Sequence, residues 1–211
     1  MARRETGFRE RIFRILERRL GIHIYRIRVR RLDLTAPERA RVPESVEIRR
    51  ATTDELREGL RDAELGISET FLTGALNRGD HCFAAFDAGR IVAYVWRSTG
   101  IAVHEEDVGV AASPPYVYGY KGFTRSTHRG MGLNVALVAF AGLEYLEVGY
   151  THLAAFVALY NLASLANSQE NGFSDLGYAG YFRWFGRVFP FRTPSVRRIG
   201  FRFIDTANPR Q

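Results

Sequence analysis

The sequence predicts an α+β fold in which a mixed central sheet is flanked by helices. Two apolar segments, His81–Phe86 and Arg90–Trp96, are joined by Asp87-Ala88-Gly89, which is a β-hairpin signal. A third segment, Tyr116–Thr124, runs through a glycine turn into an apolar helix that we predict from Leu133 to about 148. Hairpin strands combined with a strand–helix–strand unit are typical of α+β domains.

The other elements follow from apolar periodicity and from the residues that start and stop them. Thr52–Glu55 carries the side chains that cap helix N-termini, and Gly21 and Gly172 are typical helix stops. The predicted strands are Ile22–Leu34, Val46–Arg50, Thr151–Leu159, Phe173–Trp184 and Arg197–Ile204. The further predicted helices are Gly7–Leu20, Asp54–Leu65, Ser68–Leu76 and Tyr160–Asn171. The predicted loops are Thr99–Pro115 and the stretch around Pro190 and Pro194, and the predicted linker is Thr35–Glu44.

The charge is concentrated at the N-terminus. We expect residues 1–44 to form a basic helix–strand arm with its linker, and residues 45–211 to form the main domain. Residues 1–50 hold 15 arginines and 7 acidic residues, which gives +8, while the remainder holds 15 basic and 16 acidic residues. Such an arm can pack on the main domain, lie on an anionic membrane or dock an acidic protein. Nucleic-acid binding is disfavoured because no recognised module with base-stacking aromatics is visible.

Composition excludes several classes of protein. With 46% hydrophobic residues, the chain has enough apolar material for a core. Cys82 is the only cysteine, so an intrachain disulfide or an all-cysteine metal site is excluded, and we expect no metal. The longest uncharged apolar stretch, around Val135–Leu143, is shorter than the about 20 residues of a membrane-spanning helix. No signal peptide is visible, so we expect a cytoplasmic protein, with peripheral membrane contact through the N-terminal helix as an alternative.

One stretch carries recognisable chemistry. In residues 124–134, TRSTHRGMGLN, a strand ends, the chain turns on two glycines and a helix begins. Backbone N–H groups at a helix start have no partner within the helix and carry partial positive charge, so they bind phosphate groups. Glycine lets the backbone approach a ligand closely, and Arg129 adds a cation. The pattern therefore predicts a pyrophosphate site.

At these residues the sequence resembles the GNAT acyltransferase superfamily. The central signature of that family is Arg/Gln-x-x-Gly-x-Gly/Ala, and residues 129–134 match it except at Asn134, where the family has a small residue. A second signature is Asn-x-x-Ala-x-x-x-Tyr followed by a glycine–aromatic pair. Residues 161–168, followed by Gly172-Phe173, keep that spacing, with Ser164 in place of the alanine and Ser168 in place of the tyrosine. The resemblance covers residues 45–185.

The resemblance implies a splayed sheet and a coenzyme A co-substrate. The splay would lie between the strands Tyr116–Thr124 and Thr151–Leu159, and acetyl-CoA or another acyl-CoA would bind there. Its pyrophosphate would lie on the glycine loop, and its pantetheine arm would run beside the end of the first strand. The implied CoA-binding residues are Phe123, Thr124, Arg125, Arg129, Gly130, Met131, Gly132, Leu133, Asn134, Asn161 and Ser164.

The implied activity is N-acyl transfer to an unidentified primary amine by direct attack on the CoA thioester. Because Ser168 occupies the position of the family's tyrosine general acid, the protons would have to be moved by other side chains or by a water chain, with an amine that deprotonates in bulk solvent. The catalytic candidates are Tyr118, Tyr120 and Glu106, with Glu105 and His104 as further options. Two alternatives stay open: an acyltransferase fed by an acidic acyl carrier protein, and a non-catalytic module that binds CoA or a lipid.

Aromatic residues are dense near the C-terminus. The tract comprises Tyr178, Tyr181, Phe182, Trp184, Phe185, Phe189 and Phe191. Seven large rings in fourteen residues exceed what one strand face can bury. We therefore expect some of them to form core and others to contact a ligand, a membrane surface or a second chain in a homodimer.

Overall fold

The computed structural model describes residues 17, 19–33 and 41–208. The predicted helix Gly7–Leu20 and the predicted linker Thr35–Glu44 therefore lie mostly outside the described residues. The strands are β1 Ile22–Arg31, β2 Val46–Arg50, β3 His81–Asp87, β4 Arg90–Ser98, β5 Ala102–Glu105, β6 Val108–Ala111, β7 Tyr116–Thr124, β8 His152–Ala158, β9 Ser174–Trp184, β10 Arg187–Arg192 and β11 Arg202–Asp205. The helices are α1 Thr53–Gly59, α2 Glu69–Asn77, α3 Leu133–Glu147, α4 Leu162–Glu170 and α5 Pro194–Arg198.

The predicted class is confirmed, because strands and helices alternate irregularly as in α+β folds. The predicted strands 46–50 and 116–124 have the bounds observed for β2 and β7, and the hairpin around Asp87-Ala88-Gly89 joins β3 to β4. The chain folds into two compact units. One holds the described residues up to Arg30 together with 101–116 and those from 154 onward; the other holds 31–100 and 117–153.

Predicted elements are wrong in three regions of the chain. The predicted loop 99–115 contains β5 and β6, which pair antiparallel. Both strands are short and an acidic turn joins them, so the sequence shows no clear strand pattern, although Val108 and Val110 of β6 are buried. The predicted helix 54–65 stops at Gly59, and a separate 3₁₀ turn follows at Ala63–Leu65 with Asp62 as its N-cap.

The third error concerns the last strands. The predicted strand Arg197–Ile204 begins only at Arg202, because Pro194 starts the short helix α5 and fixes its first turn. The loop expected around Pro190 is instead β10, which pairs with β9 along its whole length. Pro190 is tolerated there because β10 lies at an edge of its sheet, where a missing N–H breaks no ladder.

The unit that contains the glycine loop is a sheet with helices on both faces. Its strand order is β7-β4-β3-β2, all antiparallel. On one face Tyr94 and Trp96 pack with Leu56, Leu65 and Leu72 of the α1–α2 region. On the other face α3 packs against β2, β3 and β4, with Phe83 6.3 Å from Phe140 between ring centroids. Cys82 is buried in β3, as expected for a small core residue.

The other unit combines two sheets. Strands β10, β9, β1 and β8 are neighbours in one sheet, and β1 and β10 both pair antiparallel with β9. The second sheet has the order β11-β6-β5. Aromatic side chains fill the core of this unit, including Tyr25, Tyr181, Phe201 and Phe203, all of them buried. Among the described residues, no helix is long and apolar enough to cross a membrane.

Candidate functional site

The glycine loop has the strand–turn–helix geometry that the sequence predicts. β7 ends at Thr124, a 3₁₀ turn covers Ser126–His128, and α3 begins at Leu133. Gly130 and Gly132 have φ values of 81° and 74°, in the region that side-chain-bearing residues rarely adopt. The two glycines therefore allow the chain to reverse within three residues and present its backbone outward.

Backbone amides at the start of α3 are available to a ligand. The first helical hydrogen bond of α3 runs from Ala136 N to Gly132 O at 3.0 Å, so the amides of residues 133–135 have no partner carbonyl within the helix. Gly132 is the N-cap and supplies no side-chain oxygen in their place. A Cβ placed on Gly130 would meet no atom within 4 Å, which shows open space above the loop. The exposed Arg129 adds a cation beside these amides.

The residues around the loop anchor it. Leu133 is buried and fixes the first turn of α3 in the core. Asn134, which departs from the family signature, lies against Gly122 of β7: a Cβ there would be 3.5 Å from the Asn134 Nδ2 atom, an ordinary van der Waals distance. His128 Nε2 lies 3.2 Å from Asp87 Oδ2, and this contact holds the pKa of Asp87 below its usual value. The loop is thus tied to the β3–β4 hairpin.

Arg125 forms its ion pairs and hydrogen bonds within its own unit. Its guanidinium pairs with Asp62 and Glu64, and its Nε donates to Ile91 O at 2.9 Å. Its backbone N–H donates to Val92 O at 2.8 Å. These contacts join the α1–α2 connection to the strand end before the loop, and a contact between Arg125 and CoA stays a prediction.

The middle of β7 holds a bulge and a buried hydroxyl–carboxylate pair. Lys121 has φ 39° and is skipped in the β4–β7 register, where Trp96 pairs with Tyr120 and Val95 with Gly122. The Tyr120 hydroxyl donates to Asp80 Oδ2 at 2.7 Å, and the Arg78 guanidinium donates to the same oxygen at 2.8 Å. Asp80 Oδ1 is buried and has no hydrogen-bond partner among the described residues.

These contacts decide what the two tyrosine candidates can do. Burial, reinforced by the hydrogen bond to Asp80, raises the pKa of Tyr120, so its phenol stays protonated near neutral pH. Tyr118 is buried and stacks on Tyr120 with ring centroids 5.5 Å apart. Asp80 was not identified from the sequence, because its partner lies 40 residues away and no local pattern links them.

The candidates on α4 have structural contacts. Asn161 is the N-cap of α4, and its Oδ1 accepts a hydrogen bond from Ser164 N at 3.0 Å. Ser168 lies in the last turn, where its Oγ donates to Leu165 O and accepts from the buried Arg28 at 2.7 Å. Ser168 is therefore bound to a cation rather than free to donate a proton.

The candidates on β5 and its turn differ from one another. Glu106 is exposed in the β5–β6 turn. Burial alone would raise the pKa of Glu105, but hydrogen bonds from Arg183 and Tyr181 hold it below its usual value. His104 lies 3.2 Å from the Tyr25 hydroxyl, and burial lowers the pKa of its imidazole. The described residues contain no group of three or more acidic, histidine or cysteine side chains that could hold a metal ion.

Comparison with solved structures identifies the fold of this chain. No protein-family model matches the sequence, and no curated protein matches it. Among solved structures, a GCN5-related glucosamine N-acetyltransferase region of a fungal multi-domain GH3 β-N-acetylglucosaminidase is 15% identical with a TM-score of 0.53, over 81% of this chain and 22% of that one. A GNAT-family acetyltransferase from Colwellia psychrerythraea is 15% identical with a TM-score of 0.50, over 81% of this chain and 56% of that one.

A GCN5-related N-acetyltransferase from Kribbella flavida is 18% identical with a TM-score of 0.48, over 76% of this chain and 58% of that one. The chain thus spans less than two thirds of the length of each of these three proteins. The first two similarities extend over 81% of this chain. The chain therefore has the fold of the GNAT N-acetyltransferases.

Proposed function

We propose that this protein is an acyltransferase that takes an acyl group from a coenzyme A thioester and transfers it to an amine. One observation carries the proposal: Gly130 and Gly132 present the uncapped N-terminus of α3 beside Arg129. The fold shared with two of the solved structures named above supports the same conclusion.

The loop suits a pyrophosphate. The amides of residues 133–135 have no partner carbonyl within the helix, Arg129 is exposed beside them, and a Cβ at Gly130 would meet no atom within 4 Å. Each hydrogen bond to a charged phosphate oxygen is worth about 1.5–3 kcal/mol. A coenzyme A pyrophosphate would therefore be held mainly by residues 129–135, which would position the thioester relative to the strand that precedes them.

Proton transfer in this proposal involves Tyr120 and Asp80. The bound thioester supplies the acyl group; an amine nitrogen attacks its carbonyl carbon, the C–S bond breaks, the amine loses a proton and the thiolate gains one. Tyr120 stays protonated because its pKa is raised, so it is not the base; the same shift makes it a weak acid, and its role here is to offer a hydrogen bond to the departing sulfur. Asp80 has one buried oxygen without a hydrogen-bond partner among the described residues, and in this proposal it takes the proton of the amine.

The test is calorimetric titration of the full chain with acetyl-CoA. Arg129→Gln removes the loop cation while keeping a polar side chain, and we expect about tenfold weaker binding. Arg57→Gln is the matched control, because Arg57 is exposed in the same unit on α1 and its ion pair with Asp54 is at the surface. Absence of binding by the wild-type protein, or equal affinity in both variants, would overturn the pyrophosphate assignment.

A further inference from the structure

The turn between β9 and β10 exposes two large aromatic side chains. β9 ends at Trp184 and β10 begins at Arg187, so Phe185-Gly186 forms a two-residue turn. Trp184 is 62% exposed and Phe185 is 89% exposed, and their rings meet edge to face with centroids 5.0 Å apart. Within the described part of the chain, no burial in the core explains either ring.

Phe185 is an unfavourable choice for this turn. Its φ is 45° and that of Gly186 is 71°, the left-handed conformation of a turn that prefers Asn-Gly. A bulky residue at positive φ costs about 1–3 kcal/mol. Folding alone would favour asparagine at this position, so the exposed ring has a use outside the fold of the hairpin.

The sheet face behind the turn carries further aromatic side chains. The register places Phe182 and Trp184 of β9 on the same face as Phe189 of β10. Phe182 and Phe189 stack with centroids 5.1 Å apart and an interplanar angle of 12°. Phe191 covers Gly180, where a Cβ would lie 2.8 Å from the Phe191 ring. The two turn residues therefore project from a preformed aromatic platform.

Positive charge accompanies the aromatic turn. Gly21 O accepts a hydrogen bond from Arg183 N at 3.0 Å, so Gly21 lies beside this hairpin. Next to the turn, Arg19 and Leu20 are exposed, and so is Arg187 at the start of β10. Exposed tryptophan and phenylalanine with nearby arginines are the residues that bind the interface of an anionic bilayer.

We propose that the β9–β10 turn binds the surface of a membrane rich in anionic lipids, with Trp184 and Phe185 in the headgroup region. A second copy of the chain fits less well. The two turn side chains offer at most about 500 Å², against the about 800 Å² per partner of a stable dimer. Two copies would also each carry a formal charge of +7 and repel.

The test uses the full chain and vesicles of phosphatidylglycerol and phosphatidylcholine, compared with pure phosphatidylcholine. The protein has two tryptophans, and Trp96 is completely buried, so Trp184 reports contact with lipid. We expect co-sedimentation with the anionic vesicles, weakened by salt, and quenching of part of the tryptophan fluorescence by brominated lipid. Phe185→Asn, which suits the turn, should weaken binding about tenfold without loss of thermal stability.

Leu143→Gln is the matched control, since Leu143 is a 56% exposed apolar residue on α3 of the other unit, and it should bind like wild type. Three results would each overturn the proposal. The first is wild-type protein that stays in the supernatant when the anionic vesicles are sedimented. The second is Phe185→Asn protein that binds the vesicles as tightly as wild type does. The third is loss of self-association in Phe185→Asn, measured by analytical ultracentrifugation, together with no vesicle binding by the wild type, which would assign the turn to a second copy.

Discussion

Arg28 is the buried cation on which the end of α4 depends. It donates hydrogen bonds to Leu165 O at 2.6 Å, to Ser168 Oγ at 2.7 Å and to Phe173 O at 2.8 Å. Its side chain is 4% exposed and forms an ion pair with Asp175. A cation at this position also complements the negative end of the helix dipole. Arg28 therefore joins β1 to α4 and to the start of β9.

Replacing Arg28 should lower the stability of the folded protein. We expect Arg28→Met to lower the free energy of unfolding by about 3 kcal/mol, because buried carbonyls lose their donor and gain no water. Arg26→Met is the control: Arg26 pairs with the same Asp175 at 2.9 Å but is 32% exposed, so we expect less than about 1 kcal/mol. Urea denaturation of both variants measures the difference. Equal losses would show that Arg28 acts only through Asp175.

At the scale of elements, the pairing of β1 with β9 depends on a glycine. Gly180 faces Ile24 across the ladder, and a Cβ there would lie 2.0 Å from His23 O. That distance is shorter than any real carbon–oxygen contact, so the strands would have to separate. Phe191, which rests on Gly180, would be displaced as well.

Gly180→Ala should therefore destabilise the protein by about 3 kcal/mol through overpacking. Gly100→Ala is the matched control, since a Cβ at Gly100 meets nothing within 4 Å and its φ is not left-handed, and we expect almost no change. Thermal unfolding followed by circular dichroism would measure both. A small effect of Gly180→Ala would mean that β1 and β9 can move apart without loss of stability.

Elements were predictable where the signal is local. The β3–β4 hairpin, β7 and α3 depend on a turn sequence, an apolar run and a glycine stop, and all are confirmed. The glycine loop was predictable for the same reason, because its chemistry lies in six consecutive residues. Strands β5 and β6 were missed since four residues each are too few for a periodic pattern.

Contacts between distant residues were not predictable. Tyr120 was named from its position on β7, but its partner Asp80 is 40 residues away. Ser168 was recognised as a departure from the family's tyrosine, but Arg28, which donates a hydrogen bond to the Ser168 hydroxyl, is 140 residues away. Such pairs are set by strand order and register, which a single sequence does not encode in any local pattern.

At the scale of the whole molecule, the cations are almost all arginine. Of 30 basic residues only Lys121 is a lysine, so amine-reactive reagents have two sites on the chain, Lys121 and the α-amino group. Lys121 lies at the bulge of β7, with its Nζ 4.8 Å from the centroid of the Phe71 ring. Burial of this amine lowers its pKa, which increases the neutral, reactive fraction.

This single lysine allows the proposed path of coenzyme A to be tested along the strand. If the pantetheine arm runs beside Phe123 and Thr124, it passes close to Lys121, two residues earlier on β7. We expect saturating CoA to slow acylation of Lys121 by an N-hydroxysuccinimide ester several-fold, because the ligand excludes the reagent. The α-amino group is the internal control and should react at an unchanged rate, with both sites measured by peptide mass spectrometry. An unchanged rate at Lys121, under conditions where calorimetry shows CoA bound, would place the pantetheine arm away from β7 while leaving the pyrophosphate site on the glycine loop.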